Sequence, residues 1–473
     1  MNGSAGQVLP SSVDEAGRRL RAGTLTVLEL TKGFLECSRK LQPTLNAYIT
    51  ITESQALESA AKLDAELAAG RDRGPLHGIP VVYKDNLATR NIPTTVGSAF
   101  LRERVTDHDA AIVRRLEAAG MVMLGKANMS EFASGSSGVN VFFGNVHNPW
   151  NLKRAPGGSS SGTGAAVASG MCLTGIGTDA GGSIRQPASR CGIFGLRPTF
   201  GRVSLTGVWP RTRTLGAGGP MTRCVKDAAL MMNALAAYDP GYPPSLKVAG
   251  EDFTRDLERG VRGLRLGVIE DYTFSDIDPE IETVLREAVE VLARLGAESV
   301  TVRIPALTGL LEYSRLFSNV LLYEFNQILG EQYRSAPKEL FGPAVHSDLA
   351  RGAQVQDETY QQILRERPAQ AAGVKTAFGR VDALLAPVLP NVTPLQSAGP
   401  EVWARGRQFN LPFSFAGVPS VSVPCGFARG MPVGLQVVAN DLQEALLLRI
   451  SAAFEAATDH PRRRPPMHCE GSV

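Results

Sequence analysis

The sequence has 473 residues, of which 43% are hydrophobic, enough to bury a substantial core. Its 49 basic and 46 acidic residues leave a formal charge of +3, too balanced for the basic stripe typical of nucleic-acid-binding surfaces. No apolar run approaches the roughly 18 residues of a membrane span, and the six cysteines show neither C-x-x-C nor zinc-ligand spacing.

The N-terminal residues and the cysteine pattern together predict a cytoplasmic protein. Residues 1–10 lack the basic region followed by an apolar region that marks a signal peptide. We therefore expect reduced cysteines, no metal, no organic cofactor, and neither a membrane nor a nucleic-acid partner. The dense basic run at 462–464 is interpreted as part of a solvated tail.

Helices are predicted at the start of the chain. Ser12 with Glu15, and Thr26 with Glu29, have the spacing of capping boxes, in which two side chains satisfy the first backbone N–H groups of a helix. A third helix is predicted over residues 53–69, and a glycine follows its end as helix C-termini prefer.

A buried strand is predicted next, over residues 78–84, and it places Lys84 at its end. A helix over about 109–119 and an apolar strand over 121–124 follow. Alternating helices and apolar strands predict an α/β fold, with a mixed twisted sheet covered by helices on both faces. Since we find no linker, we expect one large domain over residues 1–473.

The composition changes abruptly between residues 155 and 185, which are dense in glycine and serine. A small-residue helix over 165–170 interrupts this stretch, and the region 306–380 is mostly helical. Further strands are predicted over 264–269, 383–388, 420–424 and 434–439, and further helices over 279–294 and 443–456. We divide the domain into core motifs at 78–225, a helical insert at about 306–380, C-terminal strands and a helix at 381–457, and a tail at 458–473.

The glycine-rich stretch fits neither nucleotide-binding pattern. A phosphate-binding loop needs a Lys next to a Ser or Thr after its last glycine, and a dinucleotide fingerprint needs G-x-G-x-x-G directly after a strand. Serine catalysis is the alternative, although Ser183 does not lie in the G-x-S-x-G turn of α/β-hydrolases. No spacing singles out one of the six histidines as a base, whereas lysine is a known substitute. Lys84, at its strand end, is the candidate.

Five segments of this chain resemble motifs of the amidase signature family. They are Lys-Asp-Asn at 84–86, Gly-Gly-Ser-Ser-Ser-Gly at 157–162, Gly-Thr-Asp-Ala-Gly-Gly-Ser-Ile-Arg at 177–185, Cys-Gly-Ile-Phe-Gly-Leu-Arg-Pro-Thr at 191–199, and the late segment 418–436. Ser183 follows Ser159 by 24 residues and Lys84 by 99, as the family pattern expects. The resemblance covers nearly the whole chain.

The resemblance implies a Ser-cisSer-Lys triad. Ser183 would be the nucleophile that forms an acyl-enzyme, Ser159, held by a cis peptide bond, would bridge, and Lys84 would be the base. The implied oxyanion hole consists of backbone N–H groups, and the implied supporting residues flank the triad. The hole comprises Ala180, Gly181, Gly182 and Ser183, and the supporting residues are Gly158, Asp179 and Arg185.

The chemistry of the implied triad depends on the charge of Lys84. An amine accepts a proton only when neutral, so the pKa of Lys84 must lie below its usual value of about 10.4. The apolar run before it predicts burial, and Arg185 is a possible positive neighbour. Ser159 can relay the proton because a hydroxyl both donates and accepts. Reversed, the relay protonates the departing nitrogen.

Two functions from different classes fit the resemblance. The glutaminase subunit of tRNA-dependent amidotransferases shares the segments at 129–137 and 148–150, but it uses an acid and an arginine to hold the ends of glutamine. Arg407 aligns with that acid and Asp348 aligns weakly with that arginine, so we expect glutamine to bind poorly. We therefore favour a stand-alone hydrolase, a monomer or homodimer without partner subunits.

Such a hydrolase would cut small amides with apolar or aromatic groups. Similar enzymes include aryl acylamidases, fatty acid amide hydrolases and urethanases, so carbamate and ester cleavage are also expected. Apolar residues of the helical insert are mostly expected in the core, and some are expected to line the substrate cavity. They are Leu310, Leu311, Tyr313, Leu316, Phe317, Leu321, Leu322, Tyr323 and Phe325.

Overall fold

Strands from both halves of the chain join one mixed sheet. The computed structural model describes residues 8–307 and 310–469, without the side chains at 310, 311, 400 and 461. Predictions for residues 1–7 and 470–473, and for the side chains of Leu310 and Leu311, lie outside the described residues. The strands found in the described part are β1 Tyr48–Ile51, β2 Pro80–Lys84, β3 Val122–Ala127, β4 Thr174–Asp179, β5 Phe194–Arg197, β6 Ala217–Thr222, β7 Arg265–Ile269, β8 Glu298–Val302, β9 Ala383–Pro387, β10 Ser420–Ala428 and β11 Met431–Val438.

Helices connect and cover these strands. Those described are α1 Val13–Arg21, α2 Val27–Leu45, α3 Glu53–Ala68, α4 Ala111–Ala118, α5 Ser161–Ala168, α6 Arg185–Cys191, α7 Val225–Leu235, α8 Pro279–Arg294, α9 Leu310–Ser335, α10 Pro343–Gly352, α11 Asp357–Lys375, α12 Pro400–Arg405, α13 Leu411–Ala416 and α14 Glu444–Ala456. Within the described ranges, none of these helices combines the length and the apolar composition that a membrane crossing requires.

The sheet order is β1-β3-β2-β4-β6-β5-β10-β11-β9-β7-β8. β2 runs parallel to both β3 and β4, and β7 runs parallel to both β8 and β9, whereas the other pairs are antiparallel. α5 packs against β2, β3, β4 and β6, and α6 packs against β5, β10 and β11. The predicted single α/β domain with a mixed sheet is confirmed.

Most predicted elements are found with small shifts at their ends. α8 has the predicted bounds, and the Thr26–Glu29 capping box forms at the start of α2. At α1 the Ser12 hydroxyl accepts the Glu15 N–H, but the Glu15 carboxylate accepts from Ser11 instead of closing the box. α5 starts four residues before its predicted start.

A disulfide joins Cys37 in α2 to Cys469 in the C-terminal tail, with their Cα atoms 5.6 Å apart. The expectation that all cysteines are reduced is therefore wrong for these two, whereas Cys172, Cys191, Cys224 and Cys425 are free. The two bonded cysteines are 432 residues apart in the sequence. Their proximity arises because the tail returns to the N-terminal helices, which no local spacing could indicate.

Candidate active site

Two neighbouring parallel strands bring Lys84 to the predicted site. β2 pairs with β4 in parallel, with Tyr83 opposite Ile176, so both strands end at the same edge of the sheet. Lys84 is the last residue of β2, and Thr178 and Asp179 are the last residues of β4. Parallel pairing therefore places the amine beside the start of the glycine-rich loop.

The Lys84 amine is fully buried and has three polar neighbours. Its Nζ lies 2.7 Å from Ser159 Oγ, 2.9 Å from Thr178 Oγ1 and 3.5 Å from the Thr178 carbonyl oxygen. A neutral amine has two N–H donors and one lone pair, so it can donate twice to Thr178 while accepting from Ser159.

Burial lowers the pKa of Lys84 to about 7, and the negative charge of Asp179 opposes that shift. A substantial neutral fraction of the amine therefore exists near neutral pH. Arg185 was considered as a positive neighbour that lowers this pKa, but it forms an ion pair with Asp179 at 3.0 Å instead. Loss of hydration is the dominant cause.

Ser159 lies on the loop before α5, and the Gly158–Ser159 peptide bond is cis. Its side chain is fully buried against Lys84, and Gly158 lines the adjoining cavity. Gly162, in the first turn of α5, approaches other backbone closely. A Cβ atom there would lie 2.2 Å from the Ala47 carbonyl oxygen, so a side chain at this position would displace the loop.

The Asp179 carboxylate organises the loop that carries Ser183. It accepts the backbone N–H of Gly182 at 2.6 Å and that of Ile184 at 3.1 Å, and it pairs with Arg185. These contacts hold the pKa of Asp179 well below its usual range, against the opposing effect of burial. Gly182 has φ +112, which a residue with a side chain rarely adopts.

Arg185 anchors this loop to the other half of the chain. Its side chain is fully buried and donates to Gln436 Oε1 at 2.7 Å and to Ser414 Oγ at 2.6 Å. Asp179 and Arg185 thus hold the loop in place through side-chain contacts.

Ser183 lies half-buried in the wall of the same cavity as Ser159. Its carbonyl oxygen accepts the Ser160 N–H at 3.3 Å, which joins the two serine loops. Over residues 8–307 and 310–469, no hydrogen bond connects Ser183 Oγ with Ser159 Oγ. The structure therefore brings Lys84 and Ser159 into direct contact and places Ser183 in the wall of the same cavity.

Backbone donors surround the position of Ser183. The N–H groups of Ala180, Gly181 and Ser183 have no acceptor within the described part of the chain. The N–H of Gly182 donates to Asp179 at 2.6 Å, so of the four predicted oxyanion-hole donors it is the one with a partner in the described structure.

The serines open into a cavity of about 830 Å³. Its wall includes Asp348 and Arg407, the two positions at which the charge is reversed from the one expected for glutamine binding. Asp348 pairs with Arg211 at 2.6 Å, and Arg351 lies 4.0 Å from it on the same helix, α10. The cavity therefore combines the serine loops with a region of both charge signs.

The apolar side chains of the insert lie mostly in the core. Tyr313, Leu316 and Phe325, for example, are at most 4% exposed. Among the predicted apolar residues with described side chains, Phe317 and Leu321 line the cavity. Other apolar and aromatic side chains also line the cavity, among them Leu205, Trp209 and Trp403, so its wall combines an apolar region with a charged one.

Thr178 and Asn86 are functional candidates that the sequence analysis did not single out. The Asn86 amide donates to Thr178 Oγ1 at 3.2 Å, which fixes the neighbour of Lys84. Both residues lie within the family motifs described above, and this position is the feature by which the sequence could have indicated them. None of the six histidines, all within the described residues, lines the cavity, and no cluster there has a metal-ligand arrangement.

The fold and this serine–lysine cavity define an enzyme of the amidase class, acting on carbon–nitrogen bonds. The chain matches the family model described as Amidase over residues 29–448, so it belongs to the amidase signature family. Its predicted membership is confirmed.

Relatives and solved structures agree on the family. Two proteins described as the A subunit of glutamyl-tRNA(Gln) amidotransferase, from Synechococcus sp. (strain JA-3-3Ab) and Moorella thermoacetica, are each 38% identical to this chain. Both alignments cover 93% of this chain, and they cover 90% and 95% of the relatives. The structure of peptide amidase from Stenotrophomonas maltophilia is 32% identical, with a TM-score of 0.85, covering 96% of this chain and 98% of that one.

These relatives contradict two predictions. A stand-alone hydrolase of small apolar or aromatic amides was favoured, and it was expected to lack partner subunits and any connection with nucleic acid. Relatives that align over nearly their full length are instead subunits of an enzyme named for tRNA. A balanced net charge excludes an extensive basic surface on this chain. It does not exclude that the chain belongs to an assembly in which another subunit binds the nucleic acid.

Proposed function

We propose that this chain hydrolyses the side-chain amide of glutamine as the glutaminase subunit of a tRNA-dependent amidotransferase. The observation that carries the proposal is the similarity, over nearly full length, to proteins described as the corresponding subunit of such an enzyme. The cavity supports it because glutamine carries an amide, a carboxylate and an ammonium group, and the wall offers serines, arginines and an aspartate.

The proposed reaction begins at Lys84. The neutral amine accepts a proton from Ser159, which accepts one from Ser183, and the Ser183 oxygen attacks the amide carbon. The oxyanion is stabilised by the N–H groups of Ala180, Gly181 and Ser183. The relay then returns a proton to the departing nitrogen, ammonia leaves, and water hydrolyses the acyl-enzyme by the same route.

The charges at positions 348 and 407 were expected to exclude glutamine. Asp348 and Arg407 line one cavity, and Asp348 is paired there with Arg211. Arg407 therefore still offers a cation to the carboxylate of glutamine, although the acid expected at that position is absent.

The test is release of ammonia from L-glutamine by the purified chain, alone and together with the remaining subunits of such an amidotransferase. We expect turnover with the subunits present, and a loss of at least about 10³-fold in Ser183→Ala and Lys84→Ala. Ser161→Ala is the matched control, because this buried hydroxyl in the same serine run has no hydrogen-bond partner. Absence of ammonia release in the assembled enzyme would contradict the proposal.

We also propose that the same serine cleaves activated esters and carbamates as a side activity. An acyl-enzyme forms from any of these carbonyls, and an ester needs less help in protonating its leaving group. A p-nitrophenyl ester, a carbamate and an anilide measured beside glutamine would test this. Esterase activity that survives Ser183→Ala would contradict it.

A cytoplasmic location remains part of the proposal, because the named relatives belong to an enzyme named for a tRNA substrate. Cell fractionation with a specific antibody measures it directly. Recovery of the protein outside the cytoplasm would contradict it.

A further inference from the structure

The charged end of the cavity contains more cations than carboxylates. Arg211, Arg351 and Arg407 line it together with Asp348. The Asp348 carboxylate lies 2.6 Å from Arg211, whose side chain is 8% exposed. Asp348 is thus already neutralised, and the remaining charge of this wall is positive.

Arg407 is the cation without a partner. Its guanidinium makes no ion pair and no side-chain hydrogen bond within residues 8–307 and 310–469. Burial and the nearby Arg351 lower the pKa of Arg407, and the attraction of Asp348 only opposes this shift. The side chain is half-buried and lines the cavity, so an anion bound there would supply the counter-charge that Arg407 lacks.

Further donors in this wall also lack acceptors. Arg211 uses Nη2 for Asp348, while its buried Nε and Nη1 atoms have no hydrogen-bond partner. The Arg211 guanidinium stacks on the Phe325 ring, with 3.6 Å between the guanidinium carbon and the ring centre, so it is held in place. Because these two nitrogen atoms are buried, they are not open to a ligand, and Arg407 is the guanidinium of this wall that lacks a partner within the described residues.

The backbone fixes the position of Arg407. Its carbonyl oxygen accepts the N–H of Asn410 at 2.9 Å and that of Leu411 at 3.2 Å, at the start of α13. Asp348 and Arg351 belong to α10, and Arg211 lies between β5 and β6. Residues from three separate segments therefore line the cavity that the serine loops also line.

We infer that Arg407 binds a carboxylate on the substrate, and that the substrate amine is dispensable. The inference rests on the proposed function, in which glutamine supplies that carboxylate. A planar guanidinium matches a carboxylate with two parallel hydrogen bonds. Asp348 is paired with Arg211 and therefore contributes little to binding an ammonium group. The site thus recognises a substrate that carries an amide and a distal carboxylate.

Binding to the full-length Ser183→Ala chain tests this inference without turnover. Calorimetric titrations would compare L-glutamine, 4-carbamoylbutanoate, which lacks the amine, and 4-aminobutanamide, which lacks the carboxylate. We expect the first two to bind within about threefold of each other and the third about 10- to 100-fold more weakly, as loss of a charge-assisted hydrogen bond implies.

Adding Arg407→Gln should weaken binding of the two carboxylates about 10- to 100-fold and leave 4-aminobutanamide unchanged. Arg213→Gln is the matched control, because Arg213 lines the same cavity but is exposed. An equal loss in both variants, an unchanged affinity in Arg407→Gln, or no binding of 4-carbamoylbutanoate would overturn the inference. Failure of the wild-type enzyme to release ammonia from glutamine, with this binding pattern intact, would overturn the proposed function alone.

Discussion

Lys84 shows how burial of one side chain sets the chemistry of the site. Its amine has no exposed surface and no carboxylate in direct contact, so loss of hydration lowers its pKa to about 7. Below that pH the group is an ammonium without a lone pair, and above it the group is an amine that accepts a proton.

We expect kcat/KM for glutamine, or for an activated ester, to fall as pH decreases through about 7 and to level off above it. A pH–rate profile from pH 5 to 9 measures this. Thr178→Val removes an acceptor that stabilises the ammonium form, so its acid limb should move to lower pH, whereas Thr178→Ser should keep the wild-type profile. A flat wild-type profile would exclude Lys84 as the base.

The turn between β4 and α6 depends on one carboxylate. Asp179 is fully buried, pairs with Arg185 at 3.0 Å and lies 3.7 Å from Arg197. Neutralising it leaves two buried guanidinium groups without a counter-charge and weakens its acceptance of the Gly182 N–H. Loop geometry and stability are thus coupled in this element.

Asp179→Asn should lower the free energy of unfolding by about 3 kcal/mol, the usual scale for breaking a buried pair. It should also reduce kcat, because the loop carries Ser183. Urea unfolding and the glutaminase assay measure the two effects. Asp382→Asn is the control, since the Asp382 pair with Arg265 is partly exposed and should contribute less than about 1 kcal/mol. Equal effects of the two substitutions would argue against this role of Asp179.

Elements with a strong local pattern could be predicted from the sequence, and others could not. β2 is a continuous apolar run ending in Lys84, and α8 has an amphipathic pattern, so both were recognised. β6 reads Ala-Gly-Gly-Pro-Met-Thr, which resembles a turn, and only its pairing with β4 and β5 makes it a strand. Local β-propensity is a poor guide where pairing with neighbouring strands determines whether a segment forms a strand.

The candidate site shows the same limit. Lys84, Ser159 and Ser183 were identified because they lie in contiguous motifs. Arg211 and Asp348 are 137 residues apart, and their 2.6 Å contact depends on how α10 packs across the cavity. The reversed charges at 348 and 407 predict poor binding of glutamine, but the pairing of Asp348 with Arg211 could not be predicted from the sequence.

The Cys37–Cys469 disulfide links the two ends of the chain, so almost the entire polypeptide lies within one covalent loop. A cross-link over a long loop restricts the unfolded ensemble and typically stabilises a protein by about 2–4 kcal/mol. The main hydrophobic core draws residues from both the N-terminal and the C-terminal parts of the chain, so we expect the fold to persist without the bond.

Cys469→Ser should therefore remain folded but lose about 2–4 kcal/mol of unfolding free energy under oxidising conditions. Denaturant unfolding with and without reductant measures this. With reductant, wild type and variant should unfold at nearly the same denaturant concentration. Identical curves without reductant would show that the bond contributes nothing.

The same bond has a consequence for the integrity of the polypeptide. Any single backbone cut between residues 37 and 469 leaves two fragments that are still covalently joined. A nicked molecule would migrate at full size in a non-reducing gel and separate into two bands only after reduction.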